Sequence, residues 1–336
     1  MFNFRNDYHD LCHPAVLEKL KTLQEEGNIG YGYDPHCERA ADLICDAIGE
    51  RLPVHFVPGG TAANALALGF RLLPHEAVVS ADSGHIVSDE VGAIEAGGHK
   101  IVTVETEDGK YDPEKLEEFL NTFGSFHNVL PGIIYLSNAT ETGRVYTKEE
   151  LAEIRRVADR HELPVYIDGA RMGSALTSEA CDLTLSDYPK YADIFSIGGT
   201  KNGALYGEAL VFGDKRLAEE FIYYQKQRSL LLAKGFALGA QFEALFEDGL
   251  FFDIAKTANA MASVLYDKLS EAGYAPMYPL ESNQIFVEVE GEKLEKLAEG
   301  GQFEVIEKGA KSIVRFVTSY QTRPEEVDAL IDILNA

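Results

Sequence analysis

Basic residues are scarce in this chain, whose 336 residues include 30 lysines and arginines against 55 aspartates and glutamates, for a formal net charge of −25. Binding to nucleic acid needs clustered basic side chains that neutralise phosphates, so this composition argues against a nucleic-acid partner, and likewise against an anionic membrane surface. No apolar run is long enough to span a bilayer, and the N-terminus lacks the pattern of a signal peptide. We therefore expect a cytoplasmic protein.

The chain also has only four cysteines, Cys12, Cys37, Cys45 and Cys181, and no two of them form a Cys-x-x-Cys pair. This spacing argues against a disulfide framework and against a zinc site, so we expect reduced thiols and no bound metal. A Gly-x-Gly-x-x-Gly motif is lacking after the first apolar strand, which argues against a dinucleotide-binding fold.

Between Val54 and Phe212, short apolar runs alternate with helical stretches. The runs lie near residues 54–57, 77–79, 100–104, 132–136, 164–167, 193–197 and 209–212. This alternation predicts an α/β fold with a mostly parallel seven-stranded sheet that helices cover on both faces. With 46% hydrophobic residues, the chain can bury the core of one large domain plus a smaller one.

After Gly213 the pattern changes to long helices over about 214–248 and 250–272. Strands follow near 284–289, 303–306 and 312–317, and a last helix starts at Pro324. These elements predict a smaller C-terminal α+β domain over residues 249–336. The large domain would cover residues 1–248 and begin with helices at 14–26 and 36–49.

Lys201 follows the apolar run 194–197 and has glycines on both sides. A lysine after a buried strand, among Gly, Thr and Asn rather than acidic partners, should have a lowered pKa because desolvation disfavours its charge. The resulting free amine suits Schiff-base chemistry. The alternative is an ordinary solvated loop lysine.

Asp168 ends another apolar strand and is followed by Gly169, Ala170 and Arg171. Ligands of open α/β sheets bind at the carboxyl ends of strands, where a nearly buried aspartate needs a cation or a donor. A protonated pyridine nitrogen would meet that need. Pairing of Asp168 with Arg171, or capping of the next segment, is the structural alternative.

Gly59, Gly60 and Thr61 follow the first of the seven strands and open a strongly helical run. The glycines allow close approach of the backbone, and the free N–H groups and dipole of a helix N-terminus favour an anion such as phosphate. A phosphate cradle, a strand-end aspartate and a later strand-end lysine, in that order, indicate a site for pyridoxal 5′-phosphate (PLP).

On these motifs the chain resembles the threonine aldolase / β-eliminating lyase family of fold-type I PLP enzymes, and within it the low-specificity L-threonine aldolases. The resemblance extends over nearly the whole chain and rests on six segments, 30–35, 59–64, 84–85, 168–171, 198–203 and 314–319. It implies a PLP-dependent transferase-like fold, covalent attachment of the cofactor to Lys201, and active sites shared within a homodimer or homotetramer.

The resemblance also implies roles for side chains elsewhere. His85 is expected to stack on the pyridine ring and assist proton transfer, and His127 to lie near the substrate hydroxyl. Tyr31 lies in a loop that helps form the site near the subunit boundary. Lys234 or Arg228 would reach the phosphate in a neighbouring subunit. A structural role is the alternative for the histidines and for Tyr31.

Arg171, in the predicted cofactor site, and Arg315 are candidates to grip an amino-acid carboxylate, since a guanidinium can form two parallel hydrogen bonds with it. Each arginine could instead form a structural ion pair. The family usually offers a serine that completes this grip, but Asn6 occupies that position here, which leaves the substrate open.

The implied reaction is the cleavage of L-threonine-like β-hydroxy amino acids to glycine and an aldehyde. A base, either His85 or a water near His127, would remove the hydroxyl proton as the Cα–Cβ bond opens. Three alternatives stay open at this point: a β-eliminating lyase, an aminotransferase, and a cofactor-carrying binding protein without turnover.

Overall fold

A computed structural model describes all residues from 1 to 336. Its strands are β1 (Phe2–Asn3), β2 (Val54–Val57), β3 (Glu76–Ala81), β4 (Lys100–Val104), β5 (Leu130–Ser137), β6 (Val165–Asp168), β7 (Ile194–Gly198), β8 (Glu208–Phe212), β9 (Gln284–Glu290), β10 (Gly301–Gln302), β11 (Glu304–Glu307) and β12 (Lys311–Val317).

The α-helices lie between these strands and are α1 (Pro14–Thr22), α2 (Pro35–Ile48), α3 (Gly60–Gly69), α4 (His85–Ser88), α5 (Ala93–Ala96), α6 (Pro113–Leu120), α7 (Lys148–Arg160), α8 (Met172–Leu176), α9 (Tyr188–Tyr191), α10 (Phe221–Gln227), α11 (Phe236–Phe246), α12 (Leu250–Glu271), α13 (Gly291–Gly300) and α14 (Pro324–Asn335). None of them is long and apolar enough to cross a membrane.

A seven-stranded sheet forms the centre of the molecule, with strand order β2-β8-β7-β6-β5-β3-β4. The five strands from β7 to β4 run parallel, whereas β8 is antiparallel to both of its neighbours. The predicted α/β fold with a mostly parallel seven-stranded sheet is confirmed, and each predicted strand lies within two residues of an observed one.

Hydrophobic cores cover both faces of this sheet. Neighbouring residues of one strand belong to different cores: Ile134 and Ile167 pack in the first, and Ile133 and Tyr166 pack in the second. Because side chains alternate across a strand, a strand buried on both faces is apolar at most of its positions, and this produces the apolar runs in the sequence.

A third core lies under the antiparallel sheet β11-β12-β9, which α12, α13 and α14 accompany. Two residues from the other end of the chain, Phe2 and Phe4, are fully buried in this core, and β1 pairs in parallel with β10. The domain boundary at residue 248 stays a prediction. The first residues of the chain, however, pack with the C-terminal part and not with the part to which the sequence prediction attached them.

The ends of α2 show how the sequence sets element bounds. The Asp34 side chain accepts a hydrogen bond from the Cys37 amide at 2.8 Å, Pro35 occupies the first turn, and Gly49 ends the helix with φ 85°. A capping aspartate, an early proline and a left-handed glycine are the ordinary start and stop signals of a helix. By contrast, α3 begins after Gly59 with no side-chain cap, so its first N–H groups are available to a ligand.

Candidate active site

Most of the predicted site residues lie at the carboxyl ends of the parallel strands, which we call the carboxyl edge of the central sheet. Asp168 ends β6, Lys201 follows the end of β7, and His85 begins α4 shortly after β3. Strand β2 points in the same direction as β7, so the N-terminus of α3 lies at this edge too. The sheet order therefore brings together groups that are far apart in sequence, as expected for the ligand edge of an open α/β sheet.

Lys201 sits on a tight turn after β7. A Cβ atom on Gly198 would lie 2.3 Å from the Ala170 carbonyl oxygen, and Gly203 has φ +88°, so both positions require glycine. The Lys201 ammonium makes no hydrogen bond or ion pair within the chain. Burial lowers the pKa of this group, and the positive charge of Arg171 adds to the lowering.

The expectation that Lys201 has no acidic neighbours is wrong. Three carboxylates, Asp7, Glu141 and Asp168, lie close enough to favour its charged form, but burial and Arg171 outweigh them. Glu208 also lies near this turn, accepts a hydrogen bond from the Gly199 amide at 2.8 Å, and has its pKa raised by burial to about 7. The turn thus holds an amine biased toward its free, nucleophilic form.

Asp168 is buried and surrounded by donors. Its Oδ2 accepts hydrogen bonds from the Tyr135 hydroxyl at 2.9 Å and from Asn64 Nδ2 at 3.0 Å, and its Oδ1 accepts from the Ala170 amide at 2.9 Å. Asp168 does not form the alternative ion pair with Arg171, which pairs with Asp7 instead. These donors fix the orientation of the buried carboxylate, so that it can accept from a cationic ligand group.

The turn before α3 is open where a phosphate would sit. A Cβ atom on Gly59 or Gly60 would meet nothing within 4 Å, so there is open space beside the backbone at both glycines. Thr61 is exposed beside them, and the first N–H groups of the helix have no side-chain acceptor. This arrangement has the donors and the dipole direction that an anion needs.

His85 makes its hydrogen bond through Nδ1, which lies 3.0 Å from Glu90 Oε1. Burial on its own disfavours the imidazolium, but the hydrogen bond to Glu90 and the negative charges of Glu141 and Asp168 outweigh it, so the pKa of His85 is raised. An imidazole so placed can exchange protons near neutral pH.

Arg171 forms a buried ion pair with Asp7. Its Nε lies 2.8 Å from Asp7 Oδ2 and one Nη lies 3.2 Å from Oδ1, so the carboxylate occupies one side of the guanidinium fork. Asn283 donates a further hydrogen bond to Asp7 at 2.9 Å. A two-bond grip on a substrate carboxylate through that same side is therefore blocked, and only the remaining Nη of Arg171 is free to contribute.

Arg315 lies in β12, where it pairs with Glu304, and one Nη lies 3.5 Å from Gln284 Oε1. Its Nε is buried without a partner, so the fork keeps an unused donor. Asn6 accepts a hydrogen bond from the Tyr8 amide at 3.2 Å and lies next to the buried Asp7 in sequence. The substrate roles predicted for Asn6 and Arg315 stay predictions.

His127 does not reach this edge. It lies in the exposed segment between α6 and β5, before β5 begins, and therefore at the amino ends of the parallel strands. Lys201 and Asp168 lie at the carboxyl ends. The expected place of His127 near the substrate is wrong within one chain, and a catalytic role for it stays a prediction that would need a second copy.

The Tyr31 loop packs on another part of the surface. The Tyr31 amide donates to the Ala233 carbonyl at 3.3 Å, next to Lys234, and the Lys226 ammonium lies 4.1 Å from the centre of the Tyr31 ring. Arg228 lies over Tyr224, 4.9 Å from its ring centre. The structure brings the Tyr31 loop and Lys234 together, but it does not join them to Lys201.

Sequence reasoning missed the side chains that hold the site: Asp7, Asn64, Glu90, Tyr135 and Glu208. Asn64 lies in the segment 59–64, and a polar residue one turn after Gly60 on a largely apolar helix is a signal that identifies it. For Asp7 and Tyr135 the sequence carries no local signal, because their partners Arg171 and Asp168 lie far away in the chain. Glu90 and Glu208 have nearer partners, His85 and Gly199, but nothing in the sequence marks either contact.

The fold and the site together define a fold-type I PLP enzyme. A family model described as "Beta-eliminating lyase" matches residues 4–292, and the chain belongs to this family. The resemblance stated from the motifs is thereby confirmed.

Three relatives illustrate the similarity. The chain is 32% identical over 332 residues to a protein named "Low specificity L-threonine aldolase" from Pseudomonas sp., with 97% of this chain and 94% of that protein covered. It is 30% identical over 299 residues to "Alanine racemase TOXG" from Cochliobolus carbonum, with 83% and 73% covered. The solved structure of a threonine aldolase from Leishmania major superposes with a TM-score of 0.97 at 39% identity, with 99% and 98% covered.

Proposed function

We propose that the protein is a PLP-dependent aldolase that cleaves L-threonine and L-allo-threonine-like β-hydroxy amino acids to glycine and an aldehyde. The observation that carries the proposal is the position of Lys201, an unpaired amine with a lowered pKa at the same sheet edge as Asp168 and the N-terminus of α3. The similarity to proteins named as L-threonine aldolases supports this choice of reaction.

The residues fit the cofactor by their chemistry. Lys201 offers the amine for covalent attachment, Asp168 offers an anionic acceptor to a protonated ring nitrogen, and Gly59, Gly60 and Thr61 offer an anion cradle. When bound, PLP supplies an electron sink for the carbanion formed as a bond at Cα breaks.

The chain itself must then move one proton and hold one carboxylate. His85 takes the proton of the β-hydroxyl at Nε2, because Nδ1 is engaged by Glu90. Arg171 offers its remaining Nη to the substrate carboxylate, and Arg315, which now pairs with Glu304, is the second candidate for that contact. A single base contributes about 10²- to 10⁴-fold in rate. Because no residue other than His85 is predicted to contact the substituents of the β carbon, we expect the enzyme to accept different groups and both configurations at that carbon.

Product analysis tests the function directly. The purified protein with PLP is incubated with L-threonine, L-allo-threonine, phenylserine, L-serine or L-alanine, and glycine, aldehyde, keto acid and D-alanine are measured. We expect equimolar glycine and aldehyde from the β-hydroxy substrates. Keto acid without glycine would instead indicate a β-eliminating lyase or an aminotransferase, and only an aminotransferase would leave the cofactor as an amine. D-Alanine would indicate a racemase. The absence of any product would indicate a binding protein.

We also propose a homodimer or homotetramer with shared sites, working in the cytoplasm. The Tyr31 loop and Lys234 support the first point, since they form an exposed surface that lacks a partner in one chain. Four free cysteines support the second, because the cytosol keeps thiols reduced. Light scattering under assay conditions should give a mass of at least two chains.

Replacing Gly60 with alanine should weaken PLP binding without destabilising the fold. The new methyl group would lie in open space at the first turn of α3, and alanine forms helix better than glycine by about 1 kcal/mol. We expect the PLP dissociation constant to rise at least about tenfold, which corresponds to about 1.4 kcal/mol. The measurement is a PLP titration followed by absorbance, together with the melting temperature of the cofactor-free protein.

Gly291→Ala is the matched control, because Gly291 is the first residue of α13 and also has nothing within 4 Å of its Cβ position. That variant should keep the wild-type affinity for PLP. Equal affinities of the two variants would show that the opening beside Gly60 is not the cofactor cradle.

A further inference from the structure

Glu90 is a buried carboxylate beside the site, and the reaction described above uses it only to engage His85 Nδ1. Its side chain is 0% exposed. Its Oε1 accepts hydrogen bonds from His85 Nδ1 at 3.0 Å and from Asn64 Nδ2 at 2.7 Å, whereas its Oε2 has no partner. Burying a carboxylate with one oxygen unsatisfied costs stability, and groups buried at such a cost cluster at functional sites.

Asn64 connects this carboxylate to Asp168. Its NH₂ group donates both to Glu90 Oε1 and to Asp168 Oδ2, at 2.7 and 3.0 Å, and its Oδ1 accepts from the Tyr166 hydroxyl at 2.8 Å. Two carboxylates on one side and a hydroxyl on the other leave only one orientation for this amide. An unbroken series of hydrogen bonds therefore runs from His85 through Glu90 and Asn64 to Asp168.

We propose that Glu90 is a positioning residue for the aldol reaction: it keeps a proton on His85 Nδ1, directs Nε2 toward the substrate, and ties the imidazole to Asp168 through Asn64. The inference rests on the proposed function, in which His85 is the base. Since Glu90 Oε1 accepts both of its hydrogen bonds, Nδ1 must be the donor, and neutral histidine then has its lone pair on Nε2.

The hydrogen bond to Glu90 also supports His85 when Nε2 takes up a proton, because it raises the pKa of the imidazole. Three carboxylates face the imidazole: Glu90 after α4, Glu141 after β5 and Asp168 at the end of β6; the Lys201 ammonium after β7 opposes them. Glu90 is the only one of the four in direct hydrogen-bond contact with the ring. Its removal should therefore affect His85 more than the loss of any other charge.

The direction of the pH effect follows. A histidine base works only when neutral, so activity falls on the acid side as His85 becomes protonated. Glu90→Gln removes the negative charge but keeps an oxygen acceptor of the same size, which should lower the pKa of His85 and move the acid limb of the kcat profile to lower pH. Glu90→Ala also removes the hydrogen bond, and kcat should fall about 10- to 100-fold with little change in KM.

Nitrogen NMR of histidine-labelled protein gives a readout that does not depend on turnover. The His85 ring signals, assigned by loss in His85→Gln, are followed against pH in the cofactor-free and PLP-loaded proteins. Wild type should show protonated Nδ1, Glu90→Gln a lower titration midpoint, and Glu90→Ala a mixture of tautomers. Glu95→Gln, an exposed glutamate on α5, should match wild type in every measurement.

An unchanged tautomer and midpoint in both Glu90 variants, or NMR changes with an unaltered kcat and pH profile, would overturn the positioning role. If Glu90→Ala does not fold, Glu90→Gln carries the test, because it conserves volume and hydrogen bonding. A wild-type protein that releases no aldehyde, while the NMR changes appear as expected, would refute the aldolase function and leave the coupling of Glu90 to His85 standing.

Discussion

Lys201→Ala is expected to abolish both the covalent attachment of PLP and the cleavage of L-threonine. Lys201 offers a buried amine with a lowered pKa at the carboxyl ends of the parallel strands. We expect kcat to fall by at least about 10³-fold, which corresponds to about 4 kcal/mol of transition-state stabilisation.

Three measurements check this result: the visible absorbance of the protein with PLP, the mass of the borohydride-reduced protein, and steady-state turnover. Lys100→Ala is the matched control, since Lys100 is exposed at the amino end of β4, on the opposite edge of the same sheet. A borohydride-stable adduct in Lys201→Ala would place the attachment on another lysine, whatever the effect on rate.

Asp168→Asn is expected to reduce turnover far more than it reduces PLP binding. The substitution keeps the size of the side chain but removes the charge that holds a ring nitrogen protonated, and each unit of pKa difference is worth about 1.4 kcal/mol. A fall of about 10²- to 10⁴-fold in kcat, with the PLP dissociation constant within about tenfold of wild type, is the expected outcome.

The accompanying loss of stability needs its own control. Asparagine at residue 168 presents an NH₂ group to donors such as the Tyr135 hydroxyl, which should cost about 1–3 kcal/mol per unsatisfied group. Asp187 is also buried and accepts a hydrogen bond from the Thr184 amide, far from the site in the α9 region. Asp187→Asn should therefore lower the melting temperature without lowering kcat. Near wild-type turnover in Asp168→Asn would refute the electron-sink role of Asp168.

The sheet was predictable because its central strands are buried on both faces and are therefore mostly apolar along their length. The anchor residues Lys201, Asp168 and Gly60 were predictable for a related reason, since each stands where a strand ends or a helix begins. At such points the chain direction fixes the edge of the sheet to which a side chain belongs.

The supporting residues could not be predicted in this way. Glu90 meets Asn64, and Asn64 meets Asp168, only because β3, β6 and α3 come together in the folded sheet. The same applies to Asp7, whose partners Arg171 and Asn283 lie more than 160 residues away in the chain. For His127 only the expected place near the substrate in the same chain is wrong, because its position before β5 puts it at the amino ends of the parallel strands.

The pairing of Phe2 with Gly301 also affects how the protein is made. A ribosome adds roughly 5–20 residues per second, so the first strand must wait on the order of tens of seconds for its partner to be synthesised. During that time Phe2 and Phe4 lack the C-terminal core that buries them, and Asp7 lacks the donor Asn283. The nascent chain therefore carries an exposed aromatic end that favours aggregation, and its catalytic centre is completed only when the last third of the protein has folded.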